Sequence, residues 1–218
     1  HMMESLNTSA HVYVMTEVDM TSVVNFVKKK HDDFKEIEGY ALTYTPFIID
    51  SVIKSLKDFP EMNSTITGTK VDYLRNINIG LAVAIENGLM VPSISNCEEK
   101  NFLGICRSVN DVAKRTRDGN ISSDELSGTT FTITNFGVFG VSMGTPIINQ
   151  PNVGILGVGA IKKKPVVIED SAGDSIAIRS MMILTLGFDH RLIDGAGGSK
   201  FLESVRENIE SMELGDIL

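Results

Sequence analysis

The stretch 176–188 constrains the fold of this sequence more than any other. It is a mostly apolar β-type run, so it must sit in a largely buried sheet, and it delivers Asp189 and His190 at its end. Further β-type segments occupy 11–18, 63–67, 77–85, 89–94, 129–134, 153–161 and 166–168. Asn87-Gly88 suits a tight reversal, and 172–174 suits the turn of the last hairpin.

Helices fall between these segments. A short one follows 11–18, starting near Asp19 or Thr21, with Val23, Val24 and Val27 inward. Thr45-Pro46 predicts an N-cap and a first helical proline ahead of Ile48, Val52, Leu56 and Phe59, with Pro60 beyond the end. The helix 101–117 carries Phe102, Cys106, Val109 and Ala113 on one stripe and closes at Gly119. A last helix over 198–212 turns Phe201, Leu202, Val205, Ile209 and Met212 inward. No linker-like tract or repeat splits the chain, so 1–218 reads as one domain. Its fold class is α/β (α+β), a sheet with helices packed on one face.

Composition removes several function classes. A net charge of −8 argues against nucleic-acid binding through a general basic surface. The runs 28–30 and 162–164, all lysine, read as solvated surface or as local patches for a phosphorylated ligand. Cys97 and Cys106 lack metal-ligand spacing and form no disulfide framework, which fits a reducing compartment. There is no apolar run of membrane-spanning length and no signal-peptide pattern, so a membrane is not expected. His1-Met2 reads as a cloning remnant before Met3.

The segment 184–195 carries the clearest chemistry. An apolar strand leads to Asp189-His190, and after three intervening residues come Asp194 and Gly195. Histidine suits proton transfer near neutrality. A carboxylate four residues on can fix the backbone or pair with a cation, holding the imidazole in place, and Gly195 allows a sharp turn where a Cβ would clash. The bare pattern also admits a structural histidine or a metal ligand, although no further ligand sits at suitable spacing for a metal. His11 and His31 are the other candidate bases, in less telling settings. In 131–151 a strand ends on Thr134 and Asn135, which can donate to a developing oxyanion, before a loop with Gly137, Gly140 and Gly144. A loop that needs glycine for its turns explains the same residues. Phosphate-loop, dinucleotide and nucleophile-elbow patterns are absent.

Together the two segments resemble the catalytic domain of the dihydrolipoamide acyltransferases, the core-forming second components of 2-oxo acid dehydrogenase complexes. Glu17-Val-Asp-Met-Thr21, Gly88-Leu-Met-Val-Pro92, Thr145-Pro-Ile-Ile-Asn149 and Ile155-Leu-Gly-Val-Gly159 extend the likeness along nearly the whole chain. The resemblance implies a chloramphenicol-acetyltransferase-like fold, a mixed sheet with helices on one face, and a homotrimer with active sites between subunits. It implies acyl transfer between a lipoyl group, carried on a separate lipoyl domain, and coenzyme A. In that setting His190 is the base, Asp194 its motif partner, and Thr134 the hydroxyl that stabilises the tetrahedral intermediate and faces His190 of a neighbour. Thr43, Thr134, Asn135, Gly159 and Ile161 fall where relatives touch coenzyme A.

The chain departs from the family at three places. Val27 stands where a basic residue often serves the coenzyme's phosphates, Ala84 where some relatives have an acid, and Gly187 where serine is frequent. The resemblance further implies a 24- or 60-subunit core, partner dehydrogenase and dihydrolipoamide dehydrogenase components, and residence in a bacterial cytoplasm or a mitochondrial matrix. The apolar end at Ile217-Leu218 is expected to dock on a neighbouring trimer. Same-fold transfer to a hydroxyl acceptor and a non-catalytic scaffold are the rival readings. Acetyl, succinyl and branched-chain transferases share these motifs, so the acyl group is a matter of pocket shape.

Overall fold

The computed structural model describes residues 2–86, 88–171, 173–215 and 217–218. His1, Asn87 and Ala172, the last two at expected turns, and Asp216 near the C-terminus lie outside them. In chain order the elements are α1 (Met2–Thr8), β1 (His11–Asp19), α2 (Thr21–Glu38), α3 (Thr45–Asp58), β2 (Ser64–Thr67), β3 (Lys70–Tyr73) and β4 (Ile79–Ile85). They continue with β5 (Gly88–Met90), β6 (Ser93–Ile94), α4 (Phe102–Arg117), β7 (Phe131–Asn135), β8 (Gly154–Val158), β9 (Lys162–Ile168), β10 (Ser175–Asp189) and α5 (Gly195–Glu210).

Eight strands form one mixed sheet in the order β1-β10-β8-β7-β4-β5, with β6 also on β4 and β9 also on β10. The pairs β4–β7 and β7–β8 are parallel and the others antiparallel. β2 and β3 make a separate hairpin. The expected strand 176–188 is β10, and its burial explains its composition. Leu184 to Asp189 are buried between β1 and β8, while the earlier half pairs with β9 and is largely open.

Alternation along the strands assigns the two sheet faces. Ile79, Leu81, Phe131, Ile133, Leu156, Val158, Leu184, Leu186 and Phe188 lie on one face and are buried in the core. α2, α3, α4 and α5 cover that face with Val24, Phe34, Ile48, Val52, Ile105, Val109, Leu202 and Val205. Each such side chain contributes about 1.5–3 kcal/mol when fully buried. Tilted ring contacts join sheet to helix at Phe131 and Phe201, with centroids 5.6 Å apart, and helix to helix at Phe47 and Phe102, at 4.7 Å. Thr132, Thr134, Ile155, Gly157, Thr185 and Gly187 lie on the other face, beneath the loop that follows β7.

Several boundaries differ from the sequence expectation. α2 is long rather than short, because its second half turns Phe34 inward and gives its many charges to solvent. Thr45 is the first residue of α3 and not its cap; Tyr44 holds that position without a side-chain hydrogen bond. The expected strand 89–94 is divided into β5 and β6 around Pro92, whose carbonyl accepts from the Leu81 amide. α5 begins three residues earlier than expected, because Asp194 caps it. Gly195 has open space where a Cβ would stand; the crowded glycine is Gly198, where a Cβ would lie 2.5 Å from Phe188. Met212, Leu214 and Ile217 pack partly on the chain's own core, and Leu218 is exposed. The docking role expected of Ile217 thus competes with a local one.

Candidate active site

The end of β10 is fixed by its acid. Asp189 is 1% exposed and accepts hydrogen bonds from the Ala10 amide at 3.2 Å, the Arg191 amide at 3.1 Å, and Nε and Nη2 of Arg191 at 3.0 and 2.6 Å. The Ala10 carbonyl in turn accepts from the His190 amide at 2.8 Å. Amides of Leu192 and Ile193 close back on the Asp189 carbonyl, and buried Ile193 anchors the turn. Asp194 Oδ1 then accepts from the Gly197 amide at 2.6 Å and caps α5. The result is a short hydrogen-bonded loop that exposes the imidazole of His190, 6.1 Å from the Phe188 ring.

Sequence reasoning gave the orienting role to Asp194, whose carboxylate fixes the backbone. It missed the clamp that Asp189 makes with Ala10 and Arg191. An acid ending a buried strand with an arginine two residues on was the available signal. Burial pushes the Asp189 carboxyl up, but hydrogen bonds from Arg191, Ser9 and Ala10 outweigh it and hold the group below the usual carboxylate range.

That shift sets an expected pH dependence. Because the native carboxyl titrates below its unfolded value, its stabilisation is complete above about pH 4 and is lost as pH falls through the lowered native value. Asp189→Asn should therefore cost about 2 kcal/mol near neutrality. The midpoint should fall by roughly 4–8 °C and the deficit should shrink in acid. Thermal melts of both chains from neutral to strongly acidic pH check this; parallel curves would refute it.

Thr134 lies elsewhere. It projects from the sheet face away from the long helices and stands where two cavities meet. The larger, about 1010 Å³, is lined by Thr43, Asn135, Val27, Ala84 and, from α2 and α4, Lys28, His31 and Arg117. The smaller, about 550 Å³, lies under the segment from Gly144 to Gln150. Ala82, Leu89, Thr134 and Phe136 belong to both walls. Gly159 and Ile161 are not among the lining residues. Gly159 lies under Ser142, whose carbonyl leaves no room for a Cβ, and Ile161 packs on the core.

Within one chain His190 and Thr134 do not meet. Thr134 is in register with Gly157, which is in register with Thr185, five residues short of His190. A rise of about 3.3 Å per residue and two strand spacings of about 4.8 Å put them on the order of 15–19 Å apart. His11, the second candidate base, is structural: its Nε2 accepts from the Ile148 amide at 3.0 Å while Nδ1 donates to the Ser9 carbonyl at 3.1 Å. His31 lines the larger cavity.

The sequence pattern of the family described as 2-oxoacid dehydrogenases acyltransferase (catalytic domain) matches residues 1–215. The chain belongs to this family. The lipoamide acyltransferase component of the branched-chain alpha-keto acid dehydrogenase complex of Bacillus subtilis is 40% identical over 213 residues, 98% of this chain and 50% of that protein. The acetyltransferase component of the pyruvate dehydrogenase complex of Corynebacterium glutamicum is 38% identical over 217 residues, 98% of this chain and 32% of that protein. The chain thus spans about half or less of the length of the curated relatives it matches. A probable dihydrolipoamide acetyltransferase from Listeria monocytogenes superposes with a TM-score of 0.95 at 40% identity, covering 100% of this chain and 92% of that one. The cubic core of a pyruvate dehydrogenase multienzyme complex gives 0.90 at 29%, covering 97% and 86%. Chloramphenicol acetyltransferase, at 0.58 and 14% identity over 96% and 95% of the two chains, shares the fold, as expected.

At Gly187, where the resemblance leads serine to be expected, the structure supplies a reason for glycine. The Tyr13 ring lies across this position: a Cβ there would be 2.8 Å from it, and the Tyr13 hydroxyl donates to the Pro146 carbonyl at 3.0 Å. Glycine at 187 thus lets tyrosine tie β1 to the loop over Thr134. Partial burial raises the Tyr13 phenol above its usual range, so it stays a donor. At Val27, where the resemblance leads a basic residue to be expected, the cation next to it, Lys28, lines the larger cavity.

Proposed function

We propose that this domain moves an acyl group between coenzyme A and a dihydrolipoyl arm, with His190 as general base. The observation that carries the reading is Thr134 at the common wall of two cavities of different character. Lys28 and Arg117 in the larger one suit a phosphorylated carrier, and Thr43, Thr134 and Asn135 supply polar contacts to it. The smaller, which has no charged side chain among its described lining residues, suits the hydrocarbon arm of a lipoyl group.

His190 takes the proton from the attacking thiol as its sulfur bonds to the thioester carbonyl carbon of the other partner. Thr134 donates to the oxyanion that forms, and the tetrahedral centre collapses by breaking the carbon–sulfur bond of the original thioester. His190 returns its proton to the departing thiolate. A thiol with pKa near 8.5 and a neutral imidazole are well matched for this exchange. Asp189 and Asp194 position the loop and touch neither reactant.

The separation of His190 from Thr134 in one chain supports assembly: a second copy supplies the partner group, in a trimer whose sites lie between subunits. Likeness to a cubic core supports assembly of trimers into a larger shell, served by a lipoyl domain and by the dehydrogenase and dihydrolipoamide dehydrogenase components. Bacterial relatives support a cytoplasmic setting.

The test supplies dihydrolipoamide with acyl-coenzyme A donors and follows release of free coenzyme A together with S-acyl-dihydrolipoamide. Stoichiometric appearance of both is expected; donor hydrolysis without acyl-dihydrolipoamide would discard the reading.

A further inference from the structure

The acyl group itself is legible in the smaller cavity. Resting on the acyl-transfer reading above, we infer that the group carried is an uncharged aliphatic one and that a carboxylate-bearing acyl group such as succinyl is refused. The reacting carbonyl must lie beside Thr134; with the coenzyme filling the larger cavity, the acyl substituent extends into the smaller one, alongside the end of the lipoyl arm. The four residues shared by both cavities, Ala82, Leu89, Thr134 and Phe136, are all uncharged. The smaller cavity continues with Met90, Val91, Ile147, Ile148 and Ile155, and among the described residues no Lys, Arg or His lines it.

Its neutral donors are mostly committed. Gln150 Nε2 donates to Ser9 Oγ at 2.7 Å and Ser5 Oγ at 3.0 Å. Asn149 Nδ2 is directed at the hydroxyls of Thr129 and Thr132, each at 3.4 Å. The Thr132 hydroxyl donates to Asn152 Oδ1 at 2.8 Å. Among the described lining side chains this leaves the hydroxyls of Thr145 and Thr134, and Thr134 serves the oxyanion. A loop arriving from a second copy brings Arg191 beside His190, but both carboxylate oxygens of Asp189 already hold that guanidinium. A carboxylate taken from water into such a site loses its hydration and gains no cation. Branched and straight hydrocarbon substituents gain from the same walls.

The experiment compares kcat/KM for isobutyryl-, acetyl- and succinyl-coenzyme A with dihydrolipoamide, using the assembled protein. Succinyl transfer is expected to be on the order of 100-fold slower than the best aliphatic donor. Succinyl within tenfold of that donor would overturn the inference while leaving acyl transfer in place; transfer of none of the three would remove both. Leu89→Arg puts a cation at the common wall, on a side chain already 48% exposed and thus tolerant of charge. It should raise the succinyl-to-isobutyryl ratio at least about tenfold, and Leu89→Met should not. Equal ratios in both variants would count against the electrostatic basis.

Discussion

His190→Ala is expected to abolish all but a small residue of acyl transfer, a fall of about a thousandfold, while the chain still folds and assembles. The two halves of that expectation rest on different observations. The imidazole is exposed and, among the described residues, has no hydrogen-bond partner for its ring nitrogens, so its removal leaves no buried group unpaired. The contact that fixes the loop is made by the backbone amide of His190 to Ala10, and alanine keeps it. Loss of a positioned base typically costs 10²–10⁴ in rate. Steady-state kinetics with a circular-dichroism melt and a sedimentation run separate the two halves. Turnover near that of the parent chain would end the general-base assignment.

Thr134→Ala should lower kcat by about 10²–10³, the usual cost of losing one oxyanion donor, with little change in KM for coenzyme A. Among the described residues the Thr134 hydroxyl has no hydrogen-bond partner, so the deletion should barely touch stability. A rise in KM alone would make Thr134 a binding residue. This variant also tests where the site is built. If His190 and Thr134 act from different copies, a mixed assembly of His190→Ala and Thr134→Ala chains regains sites, each with the histidine of one chain and the threonine of the other. Random mixing in a ring restores about a quarter of the parent sites. Were both groups to act within one chain, mixing would restore none.

The sequence made much of this legible, for physical reasons that differ along the chain. Most strands of the main sheet and the helices α3, α4 and α5 announce themselves because their apolar residues recur at the spacing of a buried face, whereas the charged second half of α2 and the lysine-led start of β9 do not. β3 did not, because Lys70-Val-Asp-Tyr73 is mostly polar and its hairpin lies off the main sheet. α1 sits ahead of the first apolar strand, and its single fully buried residue is a serine, Ser5, which donates to the Ile148 carbonyl. Glycines illustrate the limit most clearly. Gly195 and Gly198 look equivalent as letters, yet only the second meets a phenyl ring, that of Phe188 on the preceding strand, and the letters do not show which glycine the turn brings against it. Likewise two acids flank His190, and which one gathers the backbone amides depends on burial. His190 and Thr134 were both visible as chemistry. Their separation was not, because it follows from strand register.

The common wall of the two cavities has a further consequence. On the acyl-transfer reading, a cavity on each side of Thr134 lets the nucleotide-bearing thiol and the swinging-arm thiol be resident together, so that neither must vacate the site for the other to enter. On that reading the protein needs no side chain of its own to ferry the acyl group between visits, and the hydrogen-bonded loop around His190 is no handicap to turnover.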